Sequence, residues 1–274
     1  MRLKVYDTHV HCSYCKHATG HFQDYIEQGI KRGLGGIIFT DHAPMESVLS
    51  QDCRMSFEQI DEYIDNILSL KKEYSSVIDI ALGIECDYLP DDRTARDIER
   101  LLDYTQWDYF LGSLHAHLPD YHDRHFTCSI IDFQKQYLID IVKAAKSGFF
   151  DALAHLDLIK NINPESWCLE DLWHEINIML DDIAFSNVAV ELNTSGLLKC
   201  KKEYMPGVEI LREIIKRDIS ITLGSDAHSP DRVGDSFCDA LNVLKNNGCE
   251  TVLTFSKRNR IPIKCTSAIK NLKV

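Results

Sequence analysis

Leu3-Lys4-Val5-Tyr6-Asp7-Thr8-His9-Val10-His11 is the stretch that decides the reading of this chain. A short apolar run passes directly into an acid and two alternate histidines. Residues two apart on a strand share a face, so His9 and His11 present their rings to one side. The pattern recurs. Gly36–Phe39 is followed by Asp41 and His42, Ile78–Ile84 by Glu85 and Asp87, and Tyr109–Gly112 by His115 and His117. Ala152–Ala154 leads into His155, Val188–Val190 into Glu191 and Asn193, and Ile219–Leu223 into Asp226 and His228. Between these runs lie segments with helical spacing: Asp24–Arg32, Phe57–Leu70 entered through Ser56, Arg93–Leu102, Phe133–Lys146, Glu170–Ile183, Val208–Lys216 and Asp235–Asn246.

Short strands alternating with helices predict a parallel sheet of βα units. The count is seven, with an eighth apolar run at Thr251–Phe255. No Pro/Gly/Ser-rich linker or shift of composition divides the chain, so residues 1–274 read as a single domain. In a parallel α/β barrel all strand carboxyl ends open on one face, where chemistry is placed. Residues far apart in sequence would then converge on one pocket. Imidazole and carboxylate together are the ligand set of zinc, manganese and iron. One strand-end histidine is ordinarily a hydrogen-bonded structural residue, but so many at one barrel mouth would leave buried polar groups unpaired without cations.

Composition narrows the function. The 274 residues are 45% hydrophobic and 26% charged, which excludes fibrous and disordered classes. Thirty basic against forty-two acidic side chains give a net charge of −12, and Lys199-Cys200-Lys201-Lys202 is the longest basic tract. Nucleic acid is therefore a poor partner. No run approaches the roughly eighteen apolar residues of a membrane span, and charge at Arg2 and Lys4 comes too early for a signal peptide. Ten cysteines in such a chain read as reduced thiols in the cytoplasm. Cys12 and Cys15 form a lone CxxC without the second pair of a zinc ribbon, and read as small side chains packed under a loop.

The motifs Asp7-Thr8-His9-Val10-His11 with His17-Ala18, Thr40-Asp41-His42, Gly83-Ile84-Glu85 and Gly112-Ser113-Leu114-His115 continue as Ala154-His155-Leu156-Asp157, Glu191-Leu192-Asn193-Thr194-Ser195-Gly196 and Gly224-Ser225-Asp226-Ala227-His228. In this order they resemble the PHP (polymerase and histidinol phosphatase) superfamily, nearest its monofunctional histidinol-phosphatase branch, from residue 3 to about residue 260. The resemblance implies a distorted (β/α)7 TIM-like barrel holding two to three divalent metal ions. It implies that His9, His11, Glu85 and Asp226 hold one metal. Glu85 would bridge to a second, shared with His115 and His155, and His17, His42 and His228 would hold a third. Asp41 and Asp157 lie beside ligands and suit orienting an imidazole; a helix or turn cap is the other reading for Asp41.

The function so implied is hydrolysis of a small phosphate monoester, L-histidinol phosphate, by in-line attack of metal-bound hydroxide. Three divalent cations against two ligand carboxylates leave about +4, matched to a phosphate dianion and a hydroxide. Asp226 or His228 is the candidate for the leaving-group proton, with Glu85 as bridging carboxylate. His117 and Arg124, in a polar loop after the fourth strand, are candidate substrate contacts, as are Lys160 and Arg232. Glu191 and Asn193 either face the substrate or close the barrel by hydrogen bonds. The alternatives are another small phosphate ester, a nuclease acting on nucleotide or DNA ends, an amidohydrolase, or a non-catalytic metal-binding module. Against the amidohydrolase, His115 stands where a metal-bridging lysine is wanted.

Overall fold

In the computed structural model, residues 4–126 and 129–273 are described. Eight strands run parallel in chain order: β1 (Tyr6–Val10), β2 (Gly36–Phe39), β3 (Asp79–Asp87), β4 (Tyr109–Ser113), β5 (Ala152–Leu153), β6 (Ala189–Asn193), β7 (Ile221–Gly224) and β8 (Thr251–Ser256). A ninth, β9 (Asn259–Lys264), returns antiparallel to β8. The sheet curls until β1 meets β7, where Val10 bridges Ala227 and the His11 N–H donates to the Ala227 carbonyl at 2.9 Å. Asp7 drives that closure. Its buried carboxylate accepts from the Ser225 N–H (2.9 Å), the Ser225 hydroxyl (2.5 Å) and the Gly234 N–H (2.7 Å), tying the end of β7 to β1. The result is the expected distorted barrel of seven βα units.

Helices cover the outside: α1 (Phe22–Arg32), α2 (Ile60–Glu73), α3 (Asp92–Leu102), α4 (Pro119–His125), α5 (Ile130–Lys146), α6 (Leu169–Ser186), α7 (Val208–Lys216), α8 (Phe237–Asn246) and α9 (Cys265–Asn271). Their starts follow local chemistry. Ser56 and Gln59 form a capping box ahead of α2, and Asp91 accepts from the Arg93 and Thr94 N–H groups to open α3. Gly33, in the left-handed region, ends α1. The segment read as a polar loop is α4. Its proline at the first helical position starts the helix, and only Tyr121 of its seven residues is buried, so no apolar period announced it.

The first strand lies later than Leu3–Tyr6, at Tyr6–Val10; Leu3 is outside the described residues. β3 and β6 likewise extend through Glu85, Asp87, Glu191 and Asn193. Asp87, Glu191 and Asn193 continue these strands because each finds a hydrogen-bond partner inside the barrel mouth, whereas Glu85 faces imidazoles. At the opposite end the β8–β9 hairpin acts as a plug. Phe255 stacks on Tyr109 with centroids 4.7 Å apart, among Ile38, Ala81, Leu111, Ala152 and Ala189. The Lys257 and Arg258 N–H groups bond Asp108, and the Arg258 guanidinium pairs with Asp151 at 3.1 Å.

Candidate metal centre

Strands β1 to β5 and β7 each place a ligand-type side chain at or just beyond the carboxyl end. His9 on β1 and His11 just beyond it face one another with Nε2 atoms 3.0 Å apart. Glu85 on β3 lies beneath them, its Oε2 3.6 Å from His9 Nε2, 3.5 Å from His11 Nε2 and 3.0 Å from His42 Nδ1. Its Oε1 faces His155 Nε2 at 3.4 Å and His115 Nε2 at 3.8 Å. Asp226 Oδ1 is 3.7 Å from His9 Nε2 and 3.3 Å from His11 Nε2. Donor atoms of His17, His42 and His228 lie within 4.8 Å of one another, with the His17 and His228 rings stacked at 4.6 Å. These nine side chains thus form one contiguous cluster, with Cys15 beside His11 and His228. Two of them, His155 (φ 27°) and Asp226 (φ 53°), sit in the left-handed region, a strained conformation that aims each side chain inward.

The tautomers are set from behind. His9 Nδ1 meets Glu191 Oε1 at 2.7 Å, His11 Nδ1 meets Asp41 Oδ1 at 3.3 Å, and His115 Nδ1 bonds Asp87. His17 Nδ1 faces the Cys15 carbonyl at 2.7 Å and His228 Nδ1 the Asp226 carbonyl at 3.0 Å. An ionised carboxylate or a carbonyl only accepts, so each Nδ1 carries the hydrogen and each Nε2 offers a lone pair. The His9 and His11 lone pairs 3.0 Å apart repel unless a positive charge lies between them. Both oxygens of buried Glu85 also lack a hydrogen-bond donor. This donor set fits divalent cations.

The cluster's electrostatics follow from burial and mutual charge. Burial opposes ionisation of Glu85 and Asp226, yet the facing imidazoles hold both well below the usual carboxylate range. Burial would depress His9, but Glu191, Glu85 and Asp226 hold it well above its ordinary value. Burial, aided by nearby His11, pushes His42 down to about 4 and His228 down to about 3.

Several candidates from the sequence sit elsewhere. Arg124, 41% exposed, pairs with Asp91 at the start of α3 and does not line the pocket. Arg232 pairs with Asp235. Lys160 is fully buried, its Nζ held by Asp157 (2.9 Å), the Tyr204 carbonyl (2.7 Å) and Glu203 (3.2 Å). Asp157 therefore does not orient His155; it holds Lys160 and the Gly207 N–H (2.9 Å). Glu191 and Asn193 turn away from the cavity. Glu191 Oε2 accepts from the His155 N–H and Asn193 Nδ2, each at 3.0 Å, so both residues knit the barrel mouth. A Cβ at Gly224 would fall 2.0 Å from Glu191 Oε1, so glycine there is what lets Glu191 reach His9. Asp41 serves both readings at once, bonding His11 and capping the CxxC turn through the Cys15 N–H (3.1 Å) and the Cys12 thiol (2.9 Å). Asp87, which the sequence places at the end of the third strand without a role, is the partner of His115 and of buried Arg54; its spacing of two from Glu85 on β3 was the available signal.

The cavity above the cluster, about 340 Å³, is lined by His17, His42, His115, His117, His155, Asp226 and His228, with Asp52, Cys53 and Lys199 on its walls. A distorted α/β barrel with imidazoles and acids converging on one mouth defines a class of metal-centred barrels. Residues 7–195 match the PHP domain model, and the chain belongs to the PHP domain family. It is 34% identical to the probable histidinol-phosphatase of Deinococcus radiodurans, over 93% of this chain and 98% of that one. The histidinol-phosphatase of Bacillus subtilis is 27% identical over 84% of this chain and 96% of its own length. The crystal structure of histidinol phosphate phosphatase from Lactococcus lactis, complexed with zinc, L-histidinol and phosphate, superposes with a TM-score of 0.81 at 22% identity, covering 94% of this chain and 99% of that one.

Proposed function

We propose that this protein is a metal-dependent phosphatase that converts L-histidinol phosphate and water to L-histidinol and phosphate in histidine biosynthesis. The observation that carries the reading is the convergence of His9, His11, His17, His115 and His228, each with Nδ1 committed to an acceptor, upon Glu85 and Asp226. The matched relatives' names, and the zinc, L-histidinol and phosphate of the Lactococcus lactis protein, support this substrate class and zinc among the candidate metals, with iron and manganese as alternatives.

His9, His11, Glu85 and Asp226 would hold one cation, Glu85 with His115 and His155 a second, and His17, His42 and His228 a third. When bound, such cations supply a water ionised near neutral pH and positive charge against the phosphoryl oxygens. The protein's own groups do the rest. Glu191, Asp41 and Asp87 keep three imidazoles aimed. Asp226, held ionised, would accept the proton of the attacking water at its carboxylate and pass that proton to the leaving alkoxide oxygen. His117 stands exposed at the cavity rim, its ring centroid 5.6 Å from that of His115, where it can meet the ester. Among the described residues no helix is long and apolar enough to cross a membrane, and no disulfide occurs, which supports a cytoplasmic setting. The test is phosphate release by zinc-, iron- or manganese-loaded protein from L-histidinol phosphate, set against nucleotides and a single-stranded oligonucleotide. Preference for either of the latter would overturn the reading.

A further inference from the structure

Among the described residues, the pocket wall carries a cation with neither a hydrogen bond nor an ion pair. Lys199 is half-buried and lines the cavity beside His117, yet no described residue gives its ammonium a hydrogen bond or an ion pair. It is the one Lys or Arg among the described lining residues. Arg124, Lys160 and Arg232, by contrast, are already neutralised by carboxylates.

The loop that presents Lys199 is built to hold its place. Residues 194–204 leave β6 and return to it, closed by the Asn193–Met205 bridge with N–H···O distances of 2.8 and 3.1 Å. The Lys199 N–H donates to the Gly196 carbonyl at 3.0 Å, and its own carbonyl accepts from the Lys202 N–H at 3.0 Å. Gly196 is pressed so closely on the returning chain that a Cβ would meet the Glu203 carbonyl oxygen at 2.2 Å. Buried Lys160 ties down the far limb through the Tyr204 carbonyl and Glu203, and Asn161 accepts from the Lys201 N–H at 3.2 Å. A backbone fixed at this many points places the root of Lys199 at the pocket rim with little ordering left to do on binding.

We infer that Lys199 is the side chain that binds the substrate's phosphoryl group, pairing with a nonbridging oxygen, and that Lys160 positions the loop presenting it. This rests on the phosphatase reading and extends it to the protein's own phosphate contact. An ammonium without a protein partner at the mouth of a site for a dianion gains a charge-assisted hydrogen bond on binding.

The test uses zinc-loaded protein with Lys199→Met and Lys199→Arg. Calorimetry measures the affinity for inorganic phosphate and, separately, for L-histidinol, which lacks the phosphoryl group; turnover gives KM and kcat for L-histidinol phosphate and p-nitrophenyl phosphate. Lys199→Met is expected to weaken phosphate about tenfold or more and to raise KM for both esters in parallel. L-Histidinol affinity stays within twofold, and Lys199→Arg recovers most of the loss. Unchanged phosphate affinity in Lys199→Met, or equal weakening of phosphate and L-histidinol, overturns the assignment. If the unaltered protein cleaves neither ester, the phosphatase reading fails, while the phosphate titration still decides the role of Lys199.

Discussion

Replacing Glu191 by Gln changes one atom and sets a problem that the barrel mouth cannot solve. Glu191 is fully buried, with one oxygen on His9 Nδ1 at 2.7 Å and the other accepting from the His155 N–H and Asn193 Nδ2 at 3.0 Å. A glutamine has one acceptor end and one donor end. If its oxygen stays on His9, its NH2 confronts two donors. If it flips, its NH2 confronts His9 Nδ1, which must then give up its hydrogen to Nε2, and the lone pair facing His11 is lost. Either state leaves a buried donor unsatisfied at about 1–3 kcal/mol, and removes a charge-assisted bond of about 1.5–3 kcal/mol. Loss of such an outer carboxylate weakens a metal site by about 10–100-fold. Zinc affinity of Glu191→Gln, read by competition with a chromophoric chelator, should fall by that factor at the tightest site, with turnover falling alongside. Urea denaturation in EDTA should show the metal-free fold destabilised by about 1–3 kcal/mol. Zinc affinity and stability both equal to the unaltered protein's would refute the argument that Glu191 fixes the His9 tautomer.

Glu85→Gln, at the residue that faces five imidazoles, should lower metal stoichiometry by a bridged pair and abolish nearly all turnover while circular dichroism stays unchanged; full stoichiometry would remove Glu85 from the centre. His42 supplies the pH dependence. Its folded value of about 4 lies below the ordinary 6.5, so in metal-free protein the unfolded chain takes up a proton that the folded chain refuses. Stability is then complete above 6.5 and lost as pH falls from 6.5 towards 4. Between pH 7 and 5 the unaltered protein should lose about 2 kcal/mol more than His42→Asn, by urea titration in EDTA; equal losses would show that His42 is not held neutral by burial. Phe255→Ala, which empties the plug over Tyr109, should cost about 3–5 kcal/mol with zinc affinity unchanged, since the hairpin lies at the barrel end away from the metals. A loss under 1 kcal/mol would mean that the hairpin does not pack the barrel interior.

Reading the barrel from sequence worked where one residue carried its own signal. β2 lies at Gly36–Phe39 as its apolar run indicates, and α7 spans Val208–Lys216 as its spacing does. β1, β3 and β6 were read too short at their carboxyl ends, because a polar residue looks like the end of a strand until the partner that buries it is known. Asp7, Asp87 and Glu191 are all of that kind. The β9 strand and α9 gave no clear signal, since much of β9's side-chain surface stays accessible and only Cys265 and Ala268 of α9 are buried.

By itself the sequence determined the alternation of strand and helix and the chemical types gathered at strand ends, because periodicity and ligand identity are local properties. Which cation faces the pocket was decided only by tertiary structure. Lys160, Arg124 and Arg232 look as suitable as Lys199 along the chain, but an ammonium or guanidinium is spent once a carboxylate lies within reach. That distance is set by residues such as Asp91, Asp157 and Asp235 after folding. The same holds for the imidazoles. Their number is written in the sequence, while the nitrogen each one offers depends on which acceptor the closed barrel puts behind it.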